Sequence, residues 1–260
     1  MGYLLFPVRL PLLVLWVLGG LFTVMLVFPF LPSSHRQWAI RQWSLGLMAC
    51  CGVSIRCRGV PVGDGPVLFV ANHVSWVDIF VMNSVRPVSF IAKSDIRKWP
   101  LLGWLVAGAG TLFLERGRRY AVRSVGHQML ARFQRGEAIG LFPEGTTSLG
   151  LDVAPFHSNL FDPALRVGVD VQPVALLFQH RGRRTTRFAF VGDQTLLHNL
   201  WHLLTTTGTM VEMIFCPVIS VAESGQLGRA GVAARAHSLI AEHVRIPGEA
   251  CQDAALIDVA

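Results

Sequence analysis

Hydrophobic and polar positions divide the chain into an apolar N-terminal part and a longer part in which short apolar runs alternate with amphipathic ones. No charged residue occurs from Leu10 to Leu31, and these 22 residues could cross a bilayer core of about 30 Å as a helix. A cleaved signal peptide is the alternative, but the run exceeds the roughly 7–15 apolar residues of such peptides and no small-residue cleavage site follows it. We therefore predict a membrane-anchoring helix that ends at Pro32.

A second helix is predicted from His35 to Cys51, where Trp and Arg side chains are interspersed with apolar ones. This mixture is typical of the lipid headgroup layer, so the helix is expected to be interfacial. Whether the first helix spans or re-enters the membrane stays open, because Arg9 on one side and Arg36 and Arg41 on the other give a weak orientation signal.

The rest of the chain alternates short β-like runs with helical ones. Strands are predicted at Val67–Ala71, Val88–Ala92, Thr111–Leu114, Ala138–Phe142, Val171–Phe178, Phe188–Val191 and Met210–Phe215. Helices are predicted at Trp76–Asn83, Tyr120–Phe133 and Pro163–Val167. The alternation predicts an α/β fold with a mostly parallel sheet flanked by helices. We expect a membrane anchor over residues 1–58, an α/β domain over residues 59–250 and a tail over residues 251–260.

Composition and charge favour a membrane protein with an anionic partner. Hydrophobic residues make up 52% of the chain and charged residues 15%, against about 25% charged in soluble domains. Ten basic and two acidic residues fall between Arg86 and Arg135, and such a field attracts anionic lipids, acidic carrier proteins, phosphorylated substrates or nucleic acid. A solvated surface without a partner is the alternative, and the apolar N-terminal run argues against a nucleic-acid binder.

The cysteines and histidines predict no metal site. Five cysteines without a CxxC pair form neither a disulfide framework nor a zinc motif, and they are expected to be reduced thiols in a protein that faces the cytosol. His198 and His202 lie four residues apart on a predicted helix, but no third ligand is evident.

The residues that could carry chemistry follow predicted strands, where ligands bind in open α/β sheets. His73 and Asp78 are five residues apart, which on a continuous helix would turn them about 140° away from each other. If His73 lies in a turn and Asp78 in the next helix, the carboxylate can orient the imidazole as a general base. A purely structural hydrogen bond is the alternative. Ser75 is a poor nucleophile candidate, because the chain has no GxSxG elbow.

Four motifs together resemble the glycerolipid and lysophospholipid acyltransferase family of bacterial membranes. They occur in order as Asn72-His73-Val74-Ser75-Trp76-Val77-Asp78, Gly110-Thr111-Leu112-Phe113-Leu114-Glu115-Arg116, Phe142-Pro143-Glu144-Gly145-Thr146 and Val171-Gln172-Pro173-Val174-Ala175. The match covers roughly residues 65 to 180, and the N-terminal two-helix anchor is also similar to that of the family.

The resemblance implies an O-acyltransferase that uses membrane lipids as substrates at the cytoplasmic face of the bacterial inner membrane. His73 would deprotonate a lysolipid hydroxyl, which attacks the thioester of acyl carrier protein or acyl-CoA without an acyl-enzyme, and Asp78 would orient His73. The acceptor headgroup would contact residues of three motifs, namely Lys93, Arg116, Glu144, Gly145, Thr146 and Thr147. The resemblance implies no metal and no bound cofactor.

One departure from the family pattern concerns the acceptor. Members that act on glycerol phosphates usually have Arg after Glu-Gly-Thr, whereas this chain has Thr147, which offers one uncharged hydroxyl instead of a bidentate phosphate clamp. The Thr-Thr-Ser form is similar to that of lyso-ornithine lipid acyltransferases. Two acceptors therefore remain open at nearly equal weight, 1-acylglycerol-3-phosphate first and lyso-ornithine lipid second. A lipid hydrolase or a non-enzymatic membrane lipid-binding protein is the more distant alternative.

Overall fold

The fold is that of a computed structural model, which describes residues 2–98, 102–114 and 119–245. The helices are α1 (Phe6–Phe22, continued by a π turn at Thr23–Val27 and a 3₁₀ turn at Phe28–Phe30), α2 (Ser33–Cys51), α3 (Val77–Val85), α4 (Leu102–Gly108), α5 (Arg119–Gln134), α6 (Asp162–Val167), α7 (Leu196–Thr205) and α8 (Val221–Val244). The strands are β1 (Val53–Arg58), β2 (Leu68–Ala71), β3 (Ser89–Lys93), β4 (Leu112–Leu114), β5 (Ile139–Leu141), β6 (Val171–His180), β7 (Arg183–Arg184) and β8 (Thr209–Phe215).

The strands form one sheet in the order β1-β8-β6-β2-β5-β3-β4, with β7 paired to β6. Strand β2 runs parallel to both β5 and β6, and β3 runs parallel to β4 and β5. Strand β8 runs antiparallel to β6 and parallel to β1. The predicted α/β class with a mostly parallel sheet is confirmed.

Helices cover both faces of the sheet, which explains why its central strands are almost continuously apolar. The residues of β2 alternate between the two layers, because successive side chains of a strand point to opposite faces. Phe69 and Ala71 join a core shared with α2, α3 and α7. Leu68 and Val70 join a second core shared with α5, α6 and α8.

Several elements differ from the predictions. The predicted strand Phe188–Val191 is wrong: this apolar segment is a buried loop whose Phe190 backbone N–H donates to the Val74 carbonyl rather than to a sheet ladder. Strand β1 was not predicted, and its pairing with β8 extends the sheet to residues before position 59. Helix α8 was not predicted either, and it packs against β6.

Helices α1 and α2 form an antiparallel hairpin locked by reciprocal Trp and Gly contacts. The Trp16 indole N–H donates to the Trp43 carbonyl over 2.9 Å, and the Trp43 indole N–H donates to the Trp16 carbonyl over 3.2 Å. Each ring lies where a Cβ at Gly46 or Gly20 would stand, within 2.3 Å of that position. Larger residues at these two glycines would therefore push the helices apart.

The residues from Phe6 to Phe30 are long and apolar enough to cross a membrane, with a mean hydropathy of 2.5, and no other helix in the described ranges meets that test. Only 17% of the apolar window is buried inside the protein. Exposed apolar surface on this scale marks a contact with lipid or with another protein.

Candidate active site

The turn between β2 and α3 places His73 against Asp78. The imidazole Nδ1 lies 2.8 Å from Asp78 Oδ2, and Asp78 is completely buried in the first turn of α3. The same oxygen accepts backbone hydrogen bonds from Val74 and Ser75 over 2.7 and 2.9 Å. One carboxylate therefore closes the turn and fixes the imidazole, which is how residues five apart in sequence come to face each other.

The hydrogen bonds also define the state of the imidazole. An ionised carboxylate is acceptor-only, so Nδ1 of a neutral His73 must carry the proton that it donates to Asp78. Nε2 then keeps its lone pair and can accept a proton from a substrate. This is the geometry of a general base with an orienting carboxylate.

An aromatic stack supports the imidazole from one side. The Phe142 ring lies 4.1 Å from the His73 ring at an interplanar angle of 11°, and Phe90 stacks on Phe142 at 5.2 Å and 8°. The His73 side chain is 20% exposed, so an edge of the ring remains accessible. Stacking and the Asp78 bond together hold the ring in one orientation.

Glu144 supports the backbone of the same turn. Its Oε1 accepts from the His73 backbone N–H over 2.7 Å, and its Oε2 accepts from the Ala154 backbone N–H over 3.0 Å. The Ser148 backbone N–H donates to the His73 carbonyl over 2.8 Å. Burial raises the pKa of Glu144, and the two backbone hydrogen bonds partly offset that rise. Both carboxylate oxygens are thus bonded within the protein, whereas the sequence predicted an acceptor contact for Glu144.

Four other predicted acceptor residues, Lys93, Gly145, Thr146 and Thr147, lie near the same edge of the sheet. Gly145 adopts a φ of +71°, a conformation that favours glycine, and Thr146 is exposed. The Thr147 hydroxyl donates to the Phe190 carbonyl, so its proton is directed into the fold. Lys93 is exposed at the end of β3, two strands away from β2. Arg116 lies outside the described residues.

Two asparagines that sequence reasoning did not single out hold the turn in place. Asn72 is buried and exchanges two hydrogen bonds with the backbone of Leu176 on β6, over 2.8 and 3.0 Å. Asn199 on α7 accepts from the Trp76 indole N–H over 2.9 Å. The signal for Asn72 is its position between the apolar strand and His73, whereas nothing near Asn199 in the sequence marks its contact.

The remaining candidates do not form a second site. The Ser75 hydroxyl is buried, so it is not accessible to a substrate. His198 and His202 place their Nε2 atoms 3.0 Å apart, but the described residues contain no group of three metal-ligating side chains. These facts leave His73 as the centre of the candidate chemistry.

The basic stretch between Arg86 and Arg135 is only partly available to an anionic partner. Arg86 is half-buried, donates to the Val62 and Gly65 carbonyls and lies over the Phe69 ring. Arg132 and Arg135 both pair with Glu137 over 2.7 Å. Arg123 is exposed, while Arg116 and Arg118 fall outside the described residues. The high charge count of this stretch therefore reflects internal pairing as well as exposed surface.

Comparisons with known proteins identify the family of the chain. A family model described as Acyltransferase matches residues 54–177. A lyso-ornithine lipid O-acyltransferase of Pseudomonas aeruginosa PAO1 is 40% identical over 169 residues, which cover 65% of each chain. A 1-acyl-sn-glycerol-3-phosphate acyltransferase of Neisseria meningitidis serogroup B is 37% identical over 197 residues, which cover 74% of this chain and 76% of the relative.

A solved structure shares the fold. The 1-acyl-sn-glycerophosphate (LPA) acyltransferase of Thermotoga maritima superposes with a TM-score of 0.63 at 20% identity, covering 91% of this chain and 96% of that one. Because so few residues are identical, the superposition supports the architecture and not the substrate. The overall fold is therefore shared with an enzyme of distant sequence.

Proposed function

This chain belongs to the acyltransferase family. From that premise we propose that it transfers a fatty acyl group to the hydroxyl of a lysolipid, and that His73 is the general base that accepts the hydroxyl proton. The observation that carries the proposal is the 2.8 Å contact between His73 Nδ1 and the buried Asp78, which leaves Nε2 as the proton acceptor. Family membership supplies the reaction class, and the turn supplies the residues.

In the proposed reaction the acceptor hydroxyl attacks the thioester and a thiolate leaves. His73 Nε2 takes the proton of the acceptor hydroxyl as its oxygen attacks the thioester carbonyl. Asp78 stabilises the imidazolium that forms. The C–S bond then breaks, and the imidazolium returns the proton to the leaving thiolate, so the enzyme ends unchanged. The proposed mechanism uses no acyl-enzyme, metal or bound cofactor. The buried Ser75 hydroxyl supports the first of these points, because it is not accessible to a thioester.

The proposed acyl donor is the acyl thioester of acyl carrier protein or of coenzyme A. The proposed place of action is the cytoplasmic face of a bacterial inner membrane. The exposed apolar surface of α1 supports the location. Carbonate washing of membranes from an expressing cell should leave the full chain in the pellet. Its release into the supernatant would favour peripheral attachment.

For the acceptor, we propose lyso-ornithine lipid. Thr147 stands where glycerol-phosphate-using relatives commonly have Arg, and its hydroxyl donates to the Phe190 carbonyl. The Thr147 side chain therefore offers an anionic headgroup neither a charge nor its hydroxyl proton. A lipid without phosphate loses less at such a site than a phosphomonoester does.

The second candidate acceptor is 1-acylglycerol-3-phosphate. The Neisseria relative with that name is 37% identical, and it is matched over a larger share of its length than the lyso-ornithine lipid relative. Lys93 adds an exposed cation at the same edge of the sheet. Either acceptor is compatible with the proposed role of His73.

The deciding experiment compares kcat/KM for both acceptors with wild type, Thr147→Arg and Thr147→Val. A charge-assisted hydrogen bond contributes about 1.5–3 kcal/mol, so wild type should prefer lyso-ornithine lipid by about 10–100-fold and Thr147→Arg should narrow that gap. Thr147→Val is the matched control, because it removes the hydroxyl at nearly constant shape and should affect both acceptors equally. A wild-type preference for 1-acylglycerol-3-phosphate that Thr147→Arg leaves unchanged would refute the acceptor proposal.

A further inference from the structure

Helix α7 exposes large apolar side chains at the surface, in addition to those that it packs into the core. Leu197 is 77% exposed and Trp201, one turn later, is 41% exposed. Asn199 and Leu203 on the opposite side of the helix are buried, and Leu204, two turns after Leu197 on the same side, is buried at the end of the helix. Leu197 and Trp201 therefore form an apolar ridge, and two large apolar side chains exposed one turn apart mark a contact surface better than a helix side that faces only water.

The ridge is continuous with the apolar surface of α1. The Trp201 ring lies 4.4 Å from the ring of Phe6 at the start of α1. Arg9 donates to the carbonyls of Leu204 and Thr206 over 3.0 and 2.7 Å, so the C-terminal end of α7 is fastened to α1. Beside this junction the N-terminal segment also exposes apolar side chains, namely Leu4, Val8 and Leu12.

Polar groups beside the ridge suit a headgroup layer. His198 is exposed next to Leu197, and its Nε2 lies 3.0 Å from that of His202. Arg187 is exposed and close enough to act on His202, whose pKa is lowered by burial first, then by His198 and by Arg187. Trp at an apolar boundary with a nearby cation is the arrangement found at membrane–water interfaces.

We propose that the exposed face of α7, together with the N-terminal end of α1, is a second membrane-contact surface that lies in the headgroup layer of an anionic bilayer. The proposal rests on the membrane association proposed above and extends it beyond the apolar anchor. The occupant is the bilayer, because the ridge continues a surface that is itself apolar enough to enter one.

This surface is mechanically connected to the catalytic turn. Asn199, on the core side of α7, accepts the hydrogen bond from Trp76 over 2.9 Å, and Trp76 lies between His73 and Asp78 in the chain. The Asn199 side-chain amide also donates to the carbonyls of Phe188 and Ala189, over 3.4 and 3.3 Å. Contact of α7 with lipid would therefore hold the turn that carries His73 at a fixed height above the headgroups.

Site-specific photocrosslinking in vesicles tests the surface without depending on activity. The full chain is reconstituted in vesicles of phosphatidylethanolamine and phosphatidylglycerol, with a benzophenone amino acid placed at Leu197, at Leu12 or at Leu227. Leu227 is the matched control, because it is a 42% exposed leucine on α8, the helix that packs against the other face of the sheet. Lipid adducts are counted by mass spectrometry.

Adducts at positions 197 and 12 but not at 227 would support the proposal. A position 197 that gives no more lipid adduct than 227, while position 12 gives one, would overturn the proposal and leave the anchor standing. Absence of adducts at both 197 and 12 would overturn membrane contact as a whole, and neither result bears on whether His73 is the base.

A kinetic comparison provides a second measurement. Leu197→Glu should raise the KM for an acceptor carried in vesicles by about tenfold. Burial of one leucine side chain in the bilayer strengthens membrane binding by about tenfold or more, and the substitution removes that contribution. Its activity on a short-chain acceptor dispersed as monomers should match wild type. Leu227→Glu should match wild type in both assays. Equal KM values for the two variants in vesicles would contradict the proposal.

Discussion

Two turns at the same edge of the sheet each contain a buried carboxylate, yet the two carboxylates have different partners. Asp78, after β2, bonds to one imidazole and two backbone N–H groups. Glu144, after β5, bonds among the described residues to two backbone N–H groups, those of His73 and Ala154. The strands that deliver them are adjacent and parallel, so the two turns meet at His73.

The difference separates a group that takes part in chemistry from one that positions it. Asp78 contacts the reacting side chain and can stabilise its charged form. Among the described residues, Glu144 hydrogen-bonds to main chain and interacts with His73 and Asp78 through its charge, so it acts on the reaction by positioning His73 and by its electrostatic field. Both residues are buried carboxylates that bond to His73, and the atoms they bond to, the imidazole for Asp78 and the backbone N–H for Glu144, distinguish their roles.

The largest effect is expected from Asp78→Asn. The amide cannot stabilise the imidazolium as a carboxylate does, so kcat should fall by about 10²–10⁴-fold while the acceptor KM stays near wild type. Steady-state kinetics with labelled thioester check this. In a His73→Ala background the same substitution should add little, because groups that act as a unit are not additive. An additional loss as large as in the wild-type background would mean that Asp78 acts independently of His73.

A smaller effect is expected from Glu144→Gln. The amide keeps one acceptor oxygen but places an NH₂ group against a backbone N–H, and a buried unsatisfied donor costs about 1–3 kcal/mol of stability. The melting temperature should fall, and kcat should fall by about tenfold with the acceptor KM unchanged. A raised acceptor KM at constant kcat would instead favour direct headgroup binding by Glu144, as the sequence predicted.

The smallest expected effect is the pH dependence of stability that comes from Glu144. Because burial raises its pKa above the ordinary 4.5, the folded chain takes up this proton at a higher pH than the unfolded chain does. The stability contributed by this group should therefore rise as the pH falls through the raised pKa toward 4.5. Melting temperatures of wild type and Glu144→Gln, compared across that range, should therefore diverge on acidification, because only wild type gains stability from this proton. Parallel curves would contradict the raised pKa.

Much of the fold follows from the sequence, because β2, β5 and β6 are buried on both faces and their apolar runs are unmistakable. Strand β1 escaped prediction because it is an edge strand with exposed Arg56 and Arg58, so half of its residues look like loop. The opposite error occurred at residues 188–191, where apolar β-like residues are buried in a loop that packs on the catalytic turn.

The candidate site was predictable as far as spacing allows. His73 and Asp78 could be paired because a turn followed by a helix brings residues five apart together. The bonds of Glu144 and Thr147 could not be predicted, because their partners Ala154 and Phe190 lie in loops whose course depends on the tertiary fold. Asn199 is more than a hundred residues from Trp76, and only the tertiary fold, in which both helices join one core, brings them together.

The most direct test of the account is acyl transfer by His73→Ala. The purified full-length variant is given radiolabelled thioester and each lysolipid acceptor in turn, and diacyl product is separated from free fatty acid. The account predicts that diacyl product falls by at least about 10²-fold with both acceptors, while circular dichroism and membrane association match wild type. Turnover within a few-fold of wild type in the folded variant would contradict the assignment of His73 as the general base.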